Sequence, residues 1–122
     1  MARDLLDASV LIAAFNTQDV HHNKAREILA RATSVSFTDH VFDEVLGVLS
    51  HKLDKVQALA ASTALLTSDA ELLFTTQEEF FRAYKRFSES KSLSFTDCCL
   101  LETAKSTQAT VHTFDKDIKE LA

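Results

Sequence analysis

The sequence predicts an α/β fold: a parallel β-sheet of four or five strands flanked by helices on both faces. Three observations lead there. Short apolar runs of strand type alternate with stretches of helical periodicity, the order a parallel sheet requires. Apolar residues make up 46% of 122 positions, enough for a buried core. There is no internal repeat, low-complexity segment or Pro/Gly-rich linker, so residues 1–122 read as one domain. With one glycine and no proline, the turns must rely on Asn, Asp, Ser and Thr.

The elements follow in order. Leu5 and Leu6 form a short strand that stops at Asp7. Ser9 is placed to cap a helix over Val10–Phe15, apolar all round and therefore buried. Asp19 caps the next helix, whose Ala25, Ile28, Leu29 and Ala32 share one face opposite Lys24, Arg26, Glu27 and Arg31. Val35–Phe37 is a second strand. Thr38 or Asp39 caps a long helix with Val41, Val45, Val48 and Leu49 on one side, broken near Lys52–Asp54 and resumed over Val56–Leu66. Glu71–Thr75 is a third strand. Thr76 with Glu79 makes a capping box, followed by Phe80, Ala83, Tyr84 and Phe87 on one face. Leu93–Phe95 reads as an approach loop, and Thr96 caps a helix to about Ser106. Thr110–Phe114 is the fourth strand and Lys116–Leu121 a last short helix.

Several function classes are disfavoured at once. No apolar run approaches the ~20 residues of a membrane span, and no charged-then-apolar leader opens the chain. The expectation is a soluble cytoplasmic protein. Cys98 and Cys99 are sequence neighbours, poorly placed for a bridge, and read as reduced, buried thiols. His21 and His22 point apart on a helix, and His40, His51 and His112 lack partners at zinc spacings. The net charge of −5 disfavours a nucleic-acid coat protein but not a nuclease whose clustered acids hold cations. Arg82, Lys85, Arg86 and Lys91 offer either a phosphate-binding edge or a solvated helix face. No Gly-rich phosphate loop exists.

Four acids share a position. Asp7 follows the first strand and Asp115 the fourth. Glu44 lies about one and a half turns into the helix after the second strand, and Asp97 in the first turn of its own helix. Ligands of open parallel sheets bind beyond the carboxyl ends of the strands, where all four acids fall. Crowded carboxylates raise one another's pKa and call for a cation; Mg²⁺ and Mn²⁺ suit oxygen ligands. Each acid also has a structural reading: a turn residue for Asp7, a solvated acid for Glu44, a first-turn acid for Asp97 and a helix cap for Asp115. Asp117 is a solvent-exposed acid or a fifth ligand.

At this point the residues resemble a family. Leu5-Leu6-Asp7-Ala8-Ser9-Val10-Leu11-Ile12 looks like the opening motif of PIN domains, an aspartate followed two residues later by Ser or Thr. Phe42-Asp43-Glu44-Val45-Leu46 resembles the family's helical glutamate segment. Phe95-Thr96-Asp97 and Thr113-Phe114-Asp115 match its third and fourth acid motifs. Each motif is weak alone; four in the expected order and spacing are fairly specific. The resemblance implies a three-layer α/β/α fold and a Mg²⁺- or Mn²⁺-dependent ribonuclease, most like VapC-type toxins of toxin–antitoxin pairs. Asp7, Glu44, Asp97 and Asp115 would be the metal-binding acids, and Ser9 would orient Asp7 or a metal-held water. It further implies an RNA substrate, a homodimer and a cognate antitoxin. The chain departs from the pattern after its last helix, with little left for the fifth strand of many members.

The expectation is therefore endoribonuclease activity. The alternatives are an RNA-processing nuclease without an antitoxin, a PIN-like module that binds RNA or protein without cutting, and a phosphoacceptor receiver-like domain. The last would need a lysine after the final strand, for which Lys116 is poorly placed.

Overall fold

A computed structural model describes residues 2–122. Its elements are β1 (Asp4–Leu6), α1 (Ala8–Phe15), α2 (His22–Arg31), β2 (Val35–Thr38), α3 (Asp39–Lys52), α4 (Lys55–Thr67), β3 (Glu71–Leu73), α5 (Gln77–Glu89), α6 (Phe95–Thr107), β4 (Thr110–His112) and α7 (Lys116–Leu121). The four strands form one sheet in the order β3-β2-β1-β4, every pair parallel. Helices cover both faces, giving three layers. Among the described residues the sheet has four strands, so the lower of the two expected counts applies.

The chain runs outward from β1 through β2 to β3, then returns to place β4 on the other side of β1. The strand order thus reverses between β1 and β4, and the crevice beyond their carboxyl ends is where such sheets bind ligands. Leu5, Leu6 and Phe37 of the central strands are buried with nearly all of α1, the expected fate of a helix apolar all round. Beneath them lie Val41, Val45 and Leu49 of α3 and Cys98–Leu101 of α6.

Helix starts differ from the expected caps in three places. α1 begins at Ala8 with Asp7 in the cap position, and Ser9 sits inside the first turn with its hydroxyl donating to Asp7 instead of capping. α2 begins at His22; Asp19 accepts from the His21 amide in a tight Asx turn that ends before the helix starts. α6 begins at Phe95, capped by Ser94 rather than Thr96, because Ser94 and Asp97 form a reciprocal capping box. β3 stops at Leu73 and β4 at His112, both two residues short of expectation. The Thr38 cap, the break before Asp54 and the Thr76–Glu79 capping box are all present.

The aromatic side of α5 departs further. Ala83 is buried, but Phe80, Tyr84 and Phe87 remain substantially exposed together with Phe81. The inner side of α5 carries polar pairing to α6: Glu102, 5% exposed, accepts from Arg82 Nε at 3.2 Å and from Arg86 Nε and Nη2 at 3.0 and 2.9 Å. Arg82 also pairs with Glu78. Two of the four residues of the suspected basic edge are therefore spent on buried and local acids.

Candidate functional site

Asp7, Glu44, Asp97 and Asp115, contributed by four separate segments, line one cavity of about 370 Å³. Asp19, Ser9, His21, Lys52 and Phe114 line it too. Asp117 does not; it is exposed in the first turn of α7. Five carboxylates thus face one lysine, and none of the five forms an ion pair among the described residues.

The fold holds each of three aspartates by one oxygen. Asp7, 5% exposed, accepts at Oδ2 from Thr113 Oγ1 at 2.7 Å and from Ser9 Oγ at 2.8 Å. Asp97 accepts at Oδ2 from the Ser94 amide at 3.0 Å. Asp115 accepts at Oδ1 from the amides of Asp117 and Ile118, at 2.9 and 3.4 Å, and so caps α7. In every case the other oxygen makes no hydrogen bond among the described residues. Structural role and availability therefore coexist: a cap fixes one carboxylate oxygen and leaves its partner for a ligand.

Thr113 ties the two sheet-end acids together. Besides reaching Asp7, its Oγ1 accepts from the Asp115 amide at 2.9 Å, and Ser9 Oγ accepts from the Phe114 amide at 3.1 Å. The Asp7 amide itself donates to the His112 carbonyl at 2.9 Å, sealing β1 to β4. Glu44, Val48 and Lys52 recur every fourth residue along α3 and so share one side of that helix.

Crowding shows in the acids' protonation. Burial, then the charges of Asp7 and Asp97, push the Glu44 carboxyl above the ordinary range, although the residue as a whole is exposed. Burial pushes Asp97 up as well; its bonds to Ser94 oppose this, and the charges of Asp7 and Asp115 add to it. A nearby cation would reverse these effects.

The donor set fits hard divalent cations: mostly carboxylate and hydroxyl oxygens, several of them free, with one imidazole and one lysine beside them. Among the described residues no three His, Cys, Asp or Glu side chains converge tightly enough to cage an ion as they stand.

Reasoning from sequence missed Asp19, His21, Lys52 and Phe114 as cavity residues, and Thr113 as the hydroxyl that holds Asp7. Thr113 had a signal, standing two residues before Asp115 as Ser9 stands two after Asp7. Lys52 had one too, at helical spacing from Glu44. His22, by contrast, is structural: its Nδ1 lies 2.7 Å from the Ala13 carbonyl, joining α2 to α1. Lys116, needed for a phosphoacceptor site, is exposed and does not line the cavity.

Comparison with known proteins bears on the family and the fold. No curated protein matches the sequence. Among solved structures, VapC20 of Mycobacterium tuberculosis, a Sarcin-Ricin loop cleaving toxin, superposes with a TM-score of 0.88 at 20% identity, over 95% of this chain and 92% of that one. VapBC2 of Rickettsia felis, bound to a DNA fragment from its promoter, gives 0.70 at 16% identity, over 96% and 91%. At such identities the likeness establishes shared fold. The PIN domain family model matches residues 5–122, and the chain belongs to the PIN domain family.

Proposed function

We propose that the protein is a metal-dependent endoribonuclease that hydrolyses RNA phosphodiester bonds, acting as the toxin of a toxin–antitoxin pair. The observation that carries this reading is the cavity at the β1/β4 switch point, where five carboxylates are opposed by Lys52 alone. Such a set gains most from divalent cations, and a phosphodiester is a substrate that needs them.

Asp7, Asp97 and Asp115 would hold the Mg²⁺ or Mn²⁺ ion. The bound ions supply charge neutralisation at the phosphate and activation of water for in-line displacement. Ser9 and Thr113 fix the orientation of Asp7. Glu44, whose carboxyl burial raises above the ordinary range, would complete the ion's surroundings or accept the proton of the attacking water. Asp117 stays outside the set. The same reading expects protein partners, a second copy of the chain and a cognate antitoxin; the exposed aromatic face of α5 is apolar surface that either would remove from water.

The test is RNA cleavage with and without Mn²⁺ for the wild type, Asp7→Asn and Asp97→Asn. The expected result is cleavage by the wild type alone, abolished by chelation. Equal metal-dependent cleavage in both variants would overturn the site. Metal binding without cleavage would favour the non-cutting module, and a neighbouring gene for a DNA-binding antitoxin separates a toxin from a processing nuclease.

A further inference from the structure

Beside the acidic cavity lies a second cleft of about 490 Å³, and the two share a wall built by His21 and Phe114. The rings of these residues stack with centroids 4.4 Å apart and planes 16° from parallel. The chemistry on the two sides of this wall is opposite. One side holds five carboxylates; the other is lined by Lys24 and Lys119 with no carboxylate at all. Neither lysine forms an ion pair among the described residues, and both are exposed. The remaining imidazole of the cleft, His112, is taken by Asp4 at 2.9 Å. In a chain of net charge −5, two lysines that form no ion pair among the described residues and line a cleft with an aromatic wall and no carboxylate form a local exception.

We propose that this cleft holds the nucleotides flanking the scissile phosphate: a base stacks on the His21–Phe114 pair, and Lys24 and Lys119 take the next phosphates along a single strand. The inference rests on the nuclease reading above and adds to it the path of the substrate. Stacking on an aromatic wall accepts any base, while a basic groove follows the backbone. His21 is exposed, so its ring retains surface for a further stacking partner. The suspected edge on α5 is a weaker alternative, because Arg82 and Arg86 are already paired with Glu102. The imidazole and the two lysines come from α2, its preceding turn and α7, elements otherwise peripheral to the sheet, which gives these elements a role in binding.

The test measures anisotropy of a labelled short single-stranded RNA with full-length Asp97→Asn protein, which keeps the strand intact, across a salt series. The double variant Lys24→Gln/Lys119→Gln is expected to weaken binding and to flatten the log–log salt dependence by about 1.4, from ~0.7 per lost phosphate contact. His21→Ala is expected to weaken binding about fivefold or more, the low end for one stacked base. It should also abolish quenching of a 2-aminopurine placed beside the scissile position, and His21→Phe should restore both. Lys85→Gln, on the far helix α5, serves as the control. If the lysine pair and His21→Ala leave affinity, salt slope and quenching unchanged while the wild type cleaves RNA, the path is wrong and the nuclease reading stands. If the wild type neither binds nor cleaves RNA, both fall.

Discussion

Two groups of acids in this protein solve the problem of crowded charge in opposite ways. Glu102 is buried between α5 and α6 and answered by Arg82 and Arg86 through three hydrogen bonds. Asp7, Asp19, Glu44, Asp97 and Asp115 share a cavity with Lys52 and no ion pair. A carboxylate neutralised by the protein's own arginines has nothing left to offer a ligand and serves the fold. Carboxylates left uncompensated cost stability, a cost that persists where surrounding structure fixes the groups for another purpose. The distinction separates structural acids from candidate functional ones without reference to exposure, since Glu102 and Asp7 are equally hidden.

The comparison breaks most sharply under substitution. Asp97→Asn is expected to lower RNA cleavage by at least ~10²-fold, beyond the loss usual for a group that only supports a metal ligand, with folding preserved because the amide relieves like-charge repulsion; single-turnover cleavage and thermal melting check the two halves. Glu102→Ala should do the reverse. It removes charge-assisted bonds and packing worth about 2–3 kcal/mol, read by urea denaturation, while cleavage per folded molecule stays at the wild-type level. If Glu102→Ala silences the enzyme without destabilising it, the division fails.

Thr113→Val keeps shape and deletes the hydroxyl that joins Asp7 to the Asp115 amide. Metal affinity or activity should fall by about 10–100-fold, and Thr113→Ser should retain most of it. A smaller effect is expected from pH. Glu44 and Asp97 have carboxyls raised in the folded chain, so the folded state binds more protons than the unfolded state just above the ordinary carboxylate pKa. Stability of the metal-free protein should therefore decline as pH rises from about 4 through the raised values, and Mn²⁺ should remove that decline. Denaturant midpoints across pH, with and without Mn²⁺, measure it. The smallest effect concerns Cys99, whose thiol burial pushes up to about 12: neither it nor Cys98 should react with a thiol reagent at pH 8 until the chain unfolds.

Much of the fold was legible because it depends on local patterns. The all-apolar stretch of α1, the Thr76–Glu79 box and the alternation of strand and helix are each decided within a few residues. The positions of Asp7 and Asp115 followed from the strands they end. What was not legible depends on three-dimensional neighbours. Phe80, Tyr84 and Phe87 have helical spacing suited to a core, but Phe80 and Phe87 reach only the edge of the Phe95 ring of α6 and all three stay substantially exposed; periodicity does not reveal how far a face is covered. Ser9 reads as a cap because capping is local; its hydroxyl instead donates to Asp7 two residues back, and its acceptance from the Phe114 amide arises from β4 docking beside β1. His21 and His22 are sequence neighbours, and only the placement of α1 and of the segment after β4 gives His22 a carbonyl and His21 a phenyl ring.

The closure of the sheet also bears on synthesis. Asp7 and Thr113 are separated by 106 positions, and β4, the last strand, lies against the first. A nascent chain emerges at roughly 5–20 residues per second with β1, β2 and β3 long before β4. Through that interval Asp7 lacks the Thr113 hydroxyl, Asp115 has not emerged, and the wall of His21 and Phe114 has one ring. The four-acid arrangement is thus complete only once Thr113 and Asp115 have emerged, and a product truncated before them lacks both the Asp7 anchor and one of the four acids.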